Sequence, residues 1–279
     1  MKEFQGKVAV ITGAASGIGR GLAERCAREG MKLVLAGINE GNLLKLEAEL
    51  VAAGATVMSV RTDVSKLEDI EALAQKTVER FGAVHLLVNN AGIGAGLSPW
   101  ESTWKDWEWV LGVNLWGVIY GVKVFTPIML AQTEPCQIVN VSSIAGLVAF
   151  HPSAPYQVAK HAVVALSENL QISLAQQEAQ VKVSVVCPGW VRTGIMTSMR
   201  NRPAELQNPQ FTPTAEQIAR WTEAKEKMEA GMSPEEVAEH VFQAMAEDRF
   251  YVLTHPEHTP GIAERMTNIV EGKPPRSPF

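Results

Sequence analysis

The chain of 279 residues is 46% hydrophobic and 20% charged, which is typical of a folded globular protein and excludes a disordered or collagen-like class. Its net charge of −5 and the lack of a lysine- and arginine-rich cluster argue against a nucleic-acid partner. The three widely spaced cysteines, Cys26, Cys136 and Cys187, do not form a disulfide framework, so we expect reduced and mostly buried thiols.

The N-terminal segment 1–7 leads directly into the apolar run 8–11, without the charged start, long apolar stretch and cleavage site of a signal peptide. No window of the sequence reaches the roughly 18 apolar residues that a membrane span needs. We therefore expect a cytoplasmic protein with no membrane partner.

Short apolar runs alternate with longer amphipathic segments over the first two thirds of the chain. Strands are predicted over residues 8–11, 33–36, 55–60, 84–88, 137–141 and 181–186. Helices are predicted over residues 17–28, 42–53, 67–81, 104–130 and 159–177, with Pro127 as the point where the fourth would break. This alternation of nearly continuous apolar strands with helices predicts an α/β fold, a doubly wound parallel sheet with helices on both faces.

The pattern changes near residue 192. Beyond a stretch without a strong period, helices are predicted over residues 215–230 and 234–247, and a short strand over 250–253. The proline-rich tail is expected to be extended at its end. We therefore predict one dinucleotide-binding catalytic domain over residues 1–279, with a helical insertion over about 192–248 that acts as a substrate lid and a tail over about 254–279.

A glycine-rich turn joins the first predicted strand to the first helix, and it reads Thr12-Gly13-Ala14-Ala15-Ser16-Gly17-Ile18-Gly19. Gly13 allows a tight turn, Gly17 lets a pyrophosphate approach the backbone, and Gly19 lets the helix lie close to the strand. The helix N-terminus offers free N–H groups and a partial positive charge to phosphates. Because the motif has the required strand–turn–helix context, we interpret it as a cofactor-binding turn that includes Ser16 and Ile18, rather than as a turn without a ligand.

The end of the second predicted strand bears on the choice between NAD and NADP. Many folds of this kind place an acidic residue there, which binds the ribose hydroxyls and repels a 2′-phosphate, but this chain has Gly37. No arginine at Gly37 or Ile38 builds a phosphate site either, and we expect Glu40 to begin the next helix. Arg20 is either a phosphate partner or a solvated helix residue. The sequence allows both cofactors, with a slight preference for NADP.

Polar and small residues follow the third and fourth predicted strands. Asp63 either accepts a hydrogen bond from the adenine amino group or caps the next helix, and Val64 follows it. Asn90, Ala91 and Gly92 suit a backbone lying close to a cofactor, although a bare turn would use the same residues.

Two side chains four residues apart carry the chemistry that we predict. Tyr156 and Lys160 share one helical face, and a nearby cation favours the phenolate of a tyrosine that otherwise titrates near ~10. Ser142 and Ser143 end the fifth strand, at the edge of the sheet where ligands bind in this architecture. Asn114 lies inside a predicted helix, where asparagine is unfavourable, so it either has a role in the site or satisfies a neighbouring backbone group.

In order and spacing, these motifs resemble the short-chain dehydrogenase/reductase family over about residues 6–194. The motifs are Thr12-Gly13-x-x-x-Gly17-x-Gly19, Asn89-Asn90-Ala91-Gly92, Asn114, Ser143, Tyr156-x-x-x-Lys160 and Pro188-Gly189. The resemblance implies that Tyr156 is the general acid/base, that Lys160 lowers its pKa and holds the nicotinamide ribose, and that Ser143 orients the substrate. It also implies that Asn114 anchors a water molecule linking Lys160 to solvent. Gly37 departs from the family pattern, in which many members carry Asp.

The resemblance also implies contacts with a bound dinucleotide and an assembly. Asp63 and Val64 would contact adenine, and the cofactor's sugars would meet Asn90, Ala91 and Gly92. The residues that would border the nicotinamide are Pro188, Gly189, Val191 and Thr193. The family further implies a homo-oligomer, a tetramer or a dimer, built through the long helices.

Three residues are candidates for the substrate wall. His151 either lines the cleft or is an exposed loop residue, and Trp190 lies beside the predicted nicotinamide pocket. Met196 belongs to a flexible apolar lid that suits an uncharged, partly apolar substrate. Five further tryptophans are predicted to serve core or subunit packing, namely Trp100, Trp104, Trp107, Trp109 and Trp116.

We therefore predict an oxidoreductase, a carbonyl reductase or alcohol dehydrogenase, that transfers hydride between NAD(P)(H) and a small-molecule carbonyl or secondary alcohol. The alternative is a non-catalytic dinucleotide sensor or scaffold of the same fold, against which the complete set of polar side chains argues. Double-bond reduction or dehydration is a third function, and the Ser143-to-Tyr156 spacing disfavours it. The six histidines show no metal-ligand spacing, so no metal site is predicted.

Overall fold

A central parallel sheet of seven strands organises the computed structural model, which describes residues 3–150, 152–209 and 212–278. The strands are β1 (Val8–Thr12), β2 (Lys32–Gly37), β3 (Val57–Arg61), β4 (Leu86–Asn89), β5 (Cys136–Val141), β6 (Val181–Val186) and β7 (Tyr251–Val252). Their spatial order is β3-β2-β1-β4-β5-β6-β7, so the direction of winding reverses between β1 and β4. In such sheets ligands bind beside the carboxyl ends of the strands at the reversal.

Nine α-helices accompany the sheet in the described part of the chain. They are α1 (Gly17–Arg28), α2 (Glu40–Ala52), α3 (Leu67–Phe81), α4 (Trp104–Leu111), α5 (Gly117–Leu130), α6 (Ala154–Gln176), α7 (Ala215–Glu229), α8 (Pro234–Ala246) and α9 (Thr259–Val270). Along β2, Leu33 and Leu35 belong to the apolar cluster shared with α1, α2 and α8, whereas Val34 and Ala36 belong to the cluster shared with α3, α5 and α6. Adjacent strand residues therefore face opposite helix layers, which confirms the predicted doubly wound α/β fold.

The predicted helix over residues 104–130 is interrupted at a different place from the one expected. A π-helical turn, Gly112–Trp116, separates α4 from α5, while α5 continues through Pro127 to its end. Asn114 lies at the centre of this turn, and its side chain bonds the backbone of Ile93 in another segment. The prediction of a break near Pro127 is wrong, because the disruption accompanies a side-chain contact of Asn114 and not the missing proline N–H.

Two further element boundaries differ from the prediction. Helix α6 begins at Ala154 and not at residue 159, since Pro155 occupies its first turn, where proline is favourable. Tyr156 therefore lies in the first turn of α6. The tail contains α9, which was not predicted, and residues 273–278 at its end lack regular structure. No residue of α9 is buried.

The region predicted as a lid divides into two parts. Helix α8 is a core helix, because Val237, Phe242 and Met245 are buried and its first turn lies against α1 at Gly21. The predicted range of 192–248 is therefore too long. The remaining outer segment (residues 194–209 and 212–229) contains the 3-10 helix Gly194–Asn201, a second short 3-10 turn and α7, and it covers the mouth of a large cavity.

The continuous helical stretch Trp104–Leu130 is long and apolar enough to cross a bilayer by length and composition alone. In this chain 39% of its apolar window is buried, and Phe125 and Met129 belong to the core. The core helix of a globular protein meets the same criteria, so this stretch carries no membrane assignment.

Candidate active site

A cavity of about 2130 Å³ opens at the carboxyl ends of β1, β4, β5 and β6, where the strand order reverses. This volume exceeds the ~300–1,000 Å³ of a typical pocket for one small ligand. The glycine-rich turn forms one end, the loops after β5 and β6 form the middle, and the outer segment covers the other side. The cavity therefore has room for a dinucleotide and a second molecule side by side.

The glycine-rich turn requires glycine because of its backbone angles and its close contacts. Gly13 and Gly17 have φ values of +64° and +53°, which favour glycine. A Cβ at Gly13 would lie 2.8 Å from the Cα of Ala91, and one at Gly19 would lie 2.3 Å from the carbonyl oxygen of Gly13. The turn is thus closed against the end of β4, and its backbone borders the cavity without side chains in between.

The N-terminus of α1 fits a phosphate group. Ser16 is the residue that precedes the helix, and its side chain makes no capping hydrogen bond. The first turn also contains no acidic residue. The first N–H groups of α1 therefore remain available to an external acceptor, and the helix dipole favours an anion there. Ser16, Gly17 and Ile18 all line the cavity at this end.

Asn90 holds the glycine-rich turn in place. Its backbone N–H donates to Oγ1 of Thr12 at 2.9 Å, and its side-chain Nδ2 donates to the carbonyl of Thr12 at 2.8 Å. The amide of Asn90 is thus directed towards the turn, while Ala91 and Gly92 present their backbone to the cavity. Asn90 can therefore stabilise the turn while the backbone of Ala91 and Gly92 contacts a cofactor, as predicted.

The end of the cavity near β2 and β3 bears on the choice of cofactor. A Cβ at Gly37 would find no atom within 3.8 Å, so packing does not require glycine at this position. Asp63 accepts hydrogen bonds from the backbone and hydroxyl of Ser65, at 3.1 and 2.7 Å. The residue that precedes α3 is Lys66, so the alternative in which Asp63 caps this helix is wrong. Asp63, Val64 and Gly37 all line the cavity.

Arg20, the other candidate phosphate partner, points elsewhere. Its guanidinium forms ion pairs with Glu24 at 2.7 Å and with Glu49 at 2.6 Å, and it does not line the cavity. Glu40 begins α2 as predicted, behind Asn39, whose side chain caps the helix. The structure therefore favours the interpretation of Arg20 as a solvated helix residue.

Tyr156 and Lys160 both border the middle of the cavity from α6. The ammonium of Lys160 is buried and donates to the carbonyl of Val141 at 2.9 Å, and it lies 5.5 Å from the centroid of the Tyr156 ring. Burial lowers the pKa of Lys160 to about 8. Burial also raises the pKa of Tyr156, against the opposing effect of a hydrogen bond with Ser143. The predicted lowering of the Tyr156 pKa is not seen, because the ammonium is bonded to Val141 and not to the phenol oxygen.

The two serines after β5 have different partners. The hydroxyl of Ser142 donates to the carbonyl of Lys160 at 2.8 Å, which ties β5 to α6. The hydroxyl of Ser143 accepts from the N–H of Ala145 at 3.1 Å and lies 3.4 Å from the carbonyl of Pro188. Of the two serines, Ser143 is the one whose side chain is hydrogen-bonded to Tyr156.

Asn114 is fully buried and clamps one residue of the loop after β4. Its Oδ1 accepts from the N–H of Ile93 and its Nδ2 donates to the carbonyl of Ile93, each at 2.8 Å. The interpretation of Asn114 as a group that satisfies a neighbouring backbone therefore holds. It also lies in the site, since the Cβ position of Gly92 is 3.6 Å from Asn114 Oδ1 and 3.7 Å from Lys160 Nζ.

The segment after β6 borders the same cavity with Pro188, Gly189, Val191 and Thr193. His255, which was not predicted as a site residue, holds this segment. The Gly189 N–H donates to His255 Nδ1, and His255 Nε2 lies 3.1 Å from the carbonyl of Trp190. The signal available in the sequence was the position of His255, shortly after the last short strand. Parallel strands bring their carboxyl ends to one edge of the sheet, and the pairing of β7 with β6 places His255 near the end of β6.

The outer segment is attached by a buried ion pair that was also missed. Arg202 bonds Asp106, in the first turn of α4, at 2.6 Å, and both side chains are buried. Burial by itself would raise the pKa of Asp106, but hydrogen bonds from Arg202 and Thr103 outweigh it and lower the pKa. A second attachment is Ser198, whose hydroxyl accepts from the N–H of Gly94 at 3.0 Å.

Two of the three residues predicted to contact the substrate lie at the cavity. Trp190 and Met196 line the cavity, and Met196 is 41% exposed. His151 lies outside the described residues. Of the other tryptophans, Trp109 is a core residue at 4% exposure, whereas Trp100 and Trp104 are more than 80% exposed and do not belong to the core.

The remaining candidate groups are the cysteines and the side chains that could bind a metal ion. Cys26, Cys136 and Cys187 are free and buried, as expected, and burial raises the pKa of each thiol. Within residues 3–150, 152–209 and 212–278, no group of three or more His, Cys, Asp or Glu side chains lies close enough to hold a metal ion.

Comparisons with known proteins agree with this geometry. The family model described as short chain dehydrogenase matches residues 7–204. A solved short chain dehydrogenase/reductase from Burkholderia phymatum, in complex with NAD, is 47% identical, with a TM-score of 0.96 over 100% of this chain and 99% of that chain. A CLA biosynthesis dehydrogenase/reductase from Lactiplantibacillus plantarum is 36% identical over 98% of this chain and 97% of the relative. A C alpha-dehydrogenase from a Sphingobium species is 32% identical over 99% of this chain and 89% of the relative.

Proposed function

This chain belongs to the short-chain dehydrogenase/reductase family, and we propose that it transfers hydride between a nicotinamide dinucleotide and a carbonyl or secondary alcohol, with Tyr156 as the acid/base. The observation that carries the proposal is the meeting of Tyr156, Lys160 and Ser143 in one cavity with the glycine-rich turn. A sensor or scaffold would need the turn but not this polar group.

The chain's own residues supply the proton transfer and hold the reactants. When bound, the nicotinamide would supply the hydride to the carbonyl carbon in reduction, or accept it in oxidation. The Tyr156 hydroxyl donates its proton to the carbonyl oxygen in reduction, and the Tyr156 phenolate takes the alcohol proton in oxidation. The Ser143 hydroxyl hydrogen-bonds the same substrate oxygen and thereby orients it. Lys160 holds the sugar next to the nicotinamide, and its ammonium stabilises the deprotonated Tyr156 when it approaches that oxygen.

We propose NAD as the preferred cofactor, in place of the slight preference for NADP that Gly37 alone suggested. Arg20, the candidate partner of a 2′-phosphate, is paired with Glu24 and Glu49. The solved relative from Burkholderia phymatum is a complex with NAD. The first turn of α1 would hold the pyrophosphate, and Asp63 and Val64 would lie beside adenine.

The substrate that fits best is an apolar ketone or secondary alcohol. Beyond Tyr156, the cavity is lined by the apolar side chains Ile93, Trp109, Ile195, Met196, Met199 and Leu206. Methionine side chains are flexible and adapt to ligands of irregular shape. The name of one relative from Eggerthella lenta, a 3beta-hydroxysteroid dehydrogenase that is 35% identical over 72% of this chain, is consistent with such a substrate. The outer segment would then act as the lid over the substrate.

We also propose that the protein forms a homo-oligomer, a dimer or a tetramer. Apolar side chains are exposed on α4–α6 and the adjoining turns, among them Trp104, Trp116, Val158 and Ile172. Contiguous exposed apolar surface is typical of subunit contacts. A single species of monomer mass in light scattering at micromolar concentration would contradict this part of the proposal.

Replacement of Tyr156 by Phe tests the function. Turnover of a panel of ketones and secondary alcohols is followed through nicotinamide absorbance with NADH, NADPH and their oxidised forms. We expect Tyr156→Phe to lower kcat by about 10²- to 10⁴-fold, the usual contribution of general acid/base catalysis. The matched control is Tyr251→Phe, because the Tyr251 hydroxyl bonds Glu168 far from the cavity. Unchanged turnover in Tyr156→Phe would overturn the mechanism, and tight cofactor binding without turnover in the wild type would favour the sensor.

A further inference from the structure

His255 makes two hydrogen bonds to the segment that follows β6. The N–H of Gly189 donates to Nδ1 at 3.1 Å, and the Thr254 hydroxyl lies 2.7 Å from the same nitrogen. Nε2 lies 3.1 Å from the carbonyl oxygen of Trp190, which can only accept. Nδ1 must therefore be the unprotonated nitrogen and Nε2 must carry the hydrogen, so these bonds select one neutral tautomer of the ring.

The ring also lies directly against the Cα of Gly189. A Cβ at this position would be 2.9 Å from Cγ of His255 and 2.7 Å from Nε2 of His258. The two imidazoles are stacked, with centroids 5.8 Å apart and an interplanar angle of 18°. Glycine at position 189 thus makes room for the histidine pair, and the backbone of this segment is fixed at van der Waals distance from it.

The pairing of β7 with β6 positions His255 beside Gly189. Strand β7 pairs with β6 in parallel, with Val186 opposite Val252, and the N–H of Cys187 donates to the carbonyl of Val252 at 2.9 Å. Both chains therefore leave the sheet at the same edge. Thr254, which precedes His255, is buried, so the approach of the C-terminal segment is fixed.

The two bonds of His255 differ in importance. The carbonyl of Trp190 also accepts from the N–H of Met232 at 3.0 Å, so it keeps a partner if His255 is removed. The N–H of Gly189 has Nδ1 of His255 as its hydrogen-bond acceptor. On the opposite side of the segment, the carbonyl of Pro188 accepts from the N–H of Ile144 at 2.8 Å. The peptide between Pro188 and Gly189 is thus held on one side by the turn that follows β5 and on the other by His255.

We propose that His255 is a positioning residue for the hydride-transfer site, which fixes the Pro188–Gly189 backbone against the nicotinamide end of the dinucleotide. The inference rests on the proposed function, since it requires a nicotinamide beside this segment. His255 acts through Gly189 and does not itself line the cavity. Through His255, the C-terminal segment would contribute to a site from which it is distant in sequence.

The test compares three substitutions by the bond that each retains. His255→Ala removes both bonds, His255→Asn keeps an acceptor at the δ position for Gly189, and His255→Gln keeps a donor at the ε position for Trp190. Dissociation constants are measured for NADH, NADPH and ADP-ribose, which lacks nicotinamide, together with kcat and KM. The control is His240→Ala, on α8, and thermal unfolding checks that each variant is folded.

We expect His255→Ala to weaken binding of the preferred reduced cofactor by roughly 5- to 10-fold, the usual effect of one lost hydrogen bond, and to leave ADP-ribose binding within about 2-fold. His255→Asn should recover most of the loss and His255→Gln less. Equal weakening of ADP-ribose would show a general structural role and overturn the inference, as would unchanged binding and kcat in His255→Ala.

Failure of this inference can be distinguished from failure of the proposed function. If Tyr156→Phe loses turnover while His255→Ala behaves like the wild type, only the role of His255 is overturned. If Tyr156→Phe retains full turnover, the acid/base assignment fails, and the binding data still decide the role of His255. If the wild type binds neither dinucleotide, both proposals are overturned.

Discussion

The two sides of the cavity are built in different ways. The sheet side, formed by the ends of β1, β4, β5 and β6 with the start of α6, is held by buried backbone and side-chain bonds such as those of Asn90 and Asn114. The outer segment is attached through side chains, chiefly Arg202 and Ser198. The groups proposed for chemistry are therefore fixed by the sheet, while part of the apolar wall, namely Ile195, Met196, Met199 and Leu206, belongs to a separately attached segment.

Breaking the attachment of the outer segment should give the largest effect among the following tests. Arg202→Met leaves the Asp106 carboxylate buried without its partner, and such losses cost about 3–5 kcal/mol. We expect faster proteolysis within residues 194–229, a lower Tm and a higher KM for the substrate, with cofactor affinity unchanged. If cofactor and substrate binding weaken together, the two sides of the cavity are not independent.

Two controls accompany this substitution. The double variant Arg202→Met with Asp106→Asn removes the unpaired charge and should recover part of the stability. Glu216→Ala breaks an exposed pair with Arg220 on α7, and it should change the free energy of unfolding by less than about 1 kcal/mol.

The buried lysine on the sheet side should produce a pH-dependent stability. Burial lowers the pKa of Lys160 to about 8, whereas lysine in an unfolded chain titrates near ~10.4. Between these values the unfolded state binds more protons, so the contribution of Lys160 to the free energy of unfolding should rise with pH, by up to about 3 kcal/mol. The buried thiols and Tyr156, whose pKa values are raised, act in the opposite direction, so the Lys160 contribution is measured by urea denaturation between pH 7.5 and 10.5 as the difference between the wild type and Lys160→Met.

The difference in free energy of unfolding between the wild type and Lys160→Met should therefore grow with pH, whereas Lys182→Met, which removes an exposed lysine of β6, should follow the wild-type pH dependence. A difference that stays constant with pH would mean that Lys160 keeps an ordinary pKa in the folded protein. The sheet side would then be more hydrated than its hydrogen bonds indicate.

The smallest expected effect concerns Gly37, at the end of β2, and the preference between NADH and NADPH. Gly37→Asp adds a carboxylate where no atom lies within 3.8 Å of the new Cβ, so the fold should tolerate it. The charge repels a 2′-phosphate, and we expect kcat/KM with NADPH to fall roughly 10-fold relative to NADH. Gly37→Asn is the neutral control and should change the ratio little. An equal loss with both cofactors would indicate distortion of the strand end instead of charge repulsion.

Most of the sheet and the polar group around Tyr156 could be predicted because their signals are local. Apolar runs mark buried strands, and the glycine-rich turn needs its glycines for backbone geometry that only glycine adopts, as at Gly13. The π-helical turn at Asn114 could not be predicted, since its partner Ile93 lies in another loop. Helix α9 was missed because the prolines of the tail indicated an extended segment, although Ile262, Met266 and Ile269 recur at helical spacing.

The sequence by itself determined the fold class, the glycine-rich turn and the Tyr156–Lys160 pair, because each depends on neighbours along the chain or on strand and helix periodicity. Only the tertiary structure decided that Arg202 meets Asp106 and that His255 reaches Gly189. These contacts join segments that are far apart in sequence, and they form only because parallel strands bring their ends to one edge of the sheet. Their residues are ordinary polar side chains until the fold gives them partners.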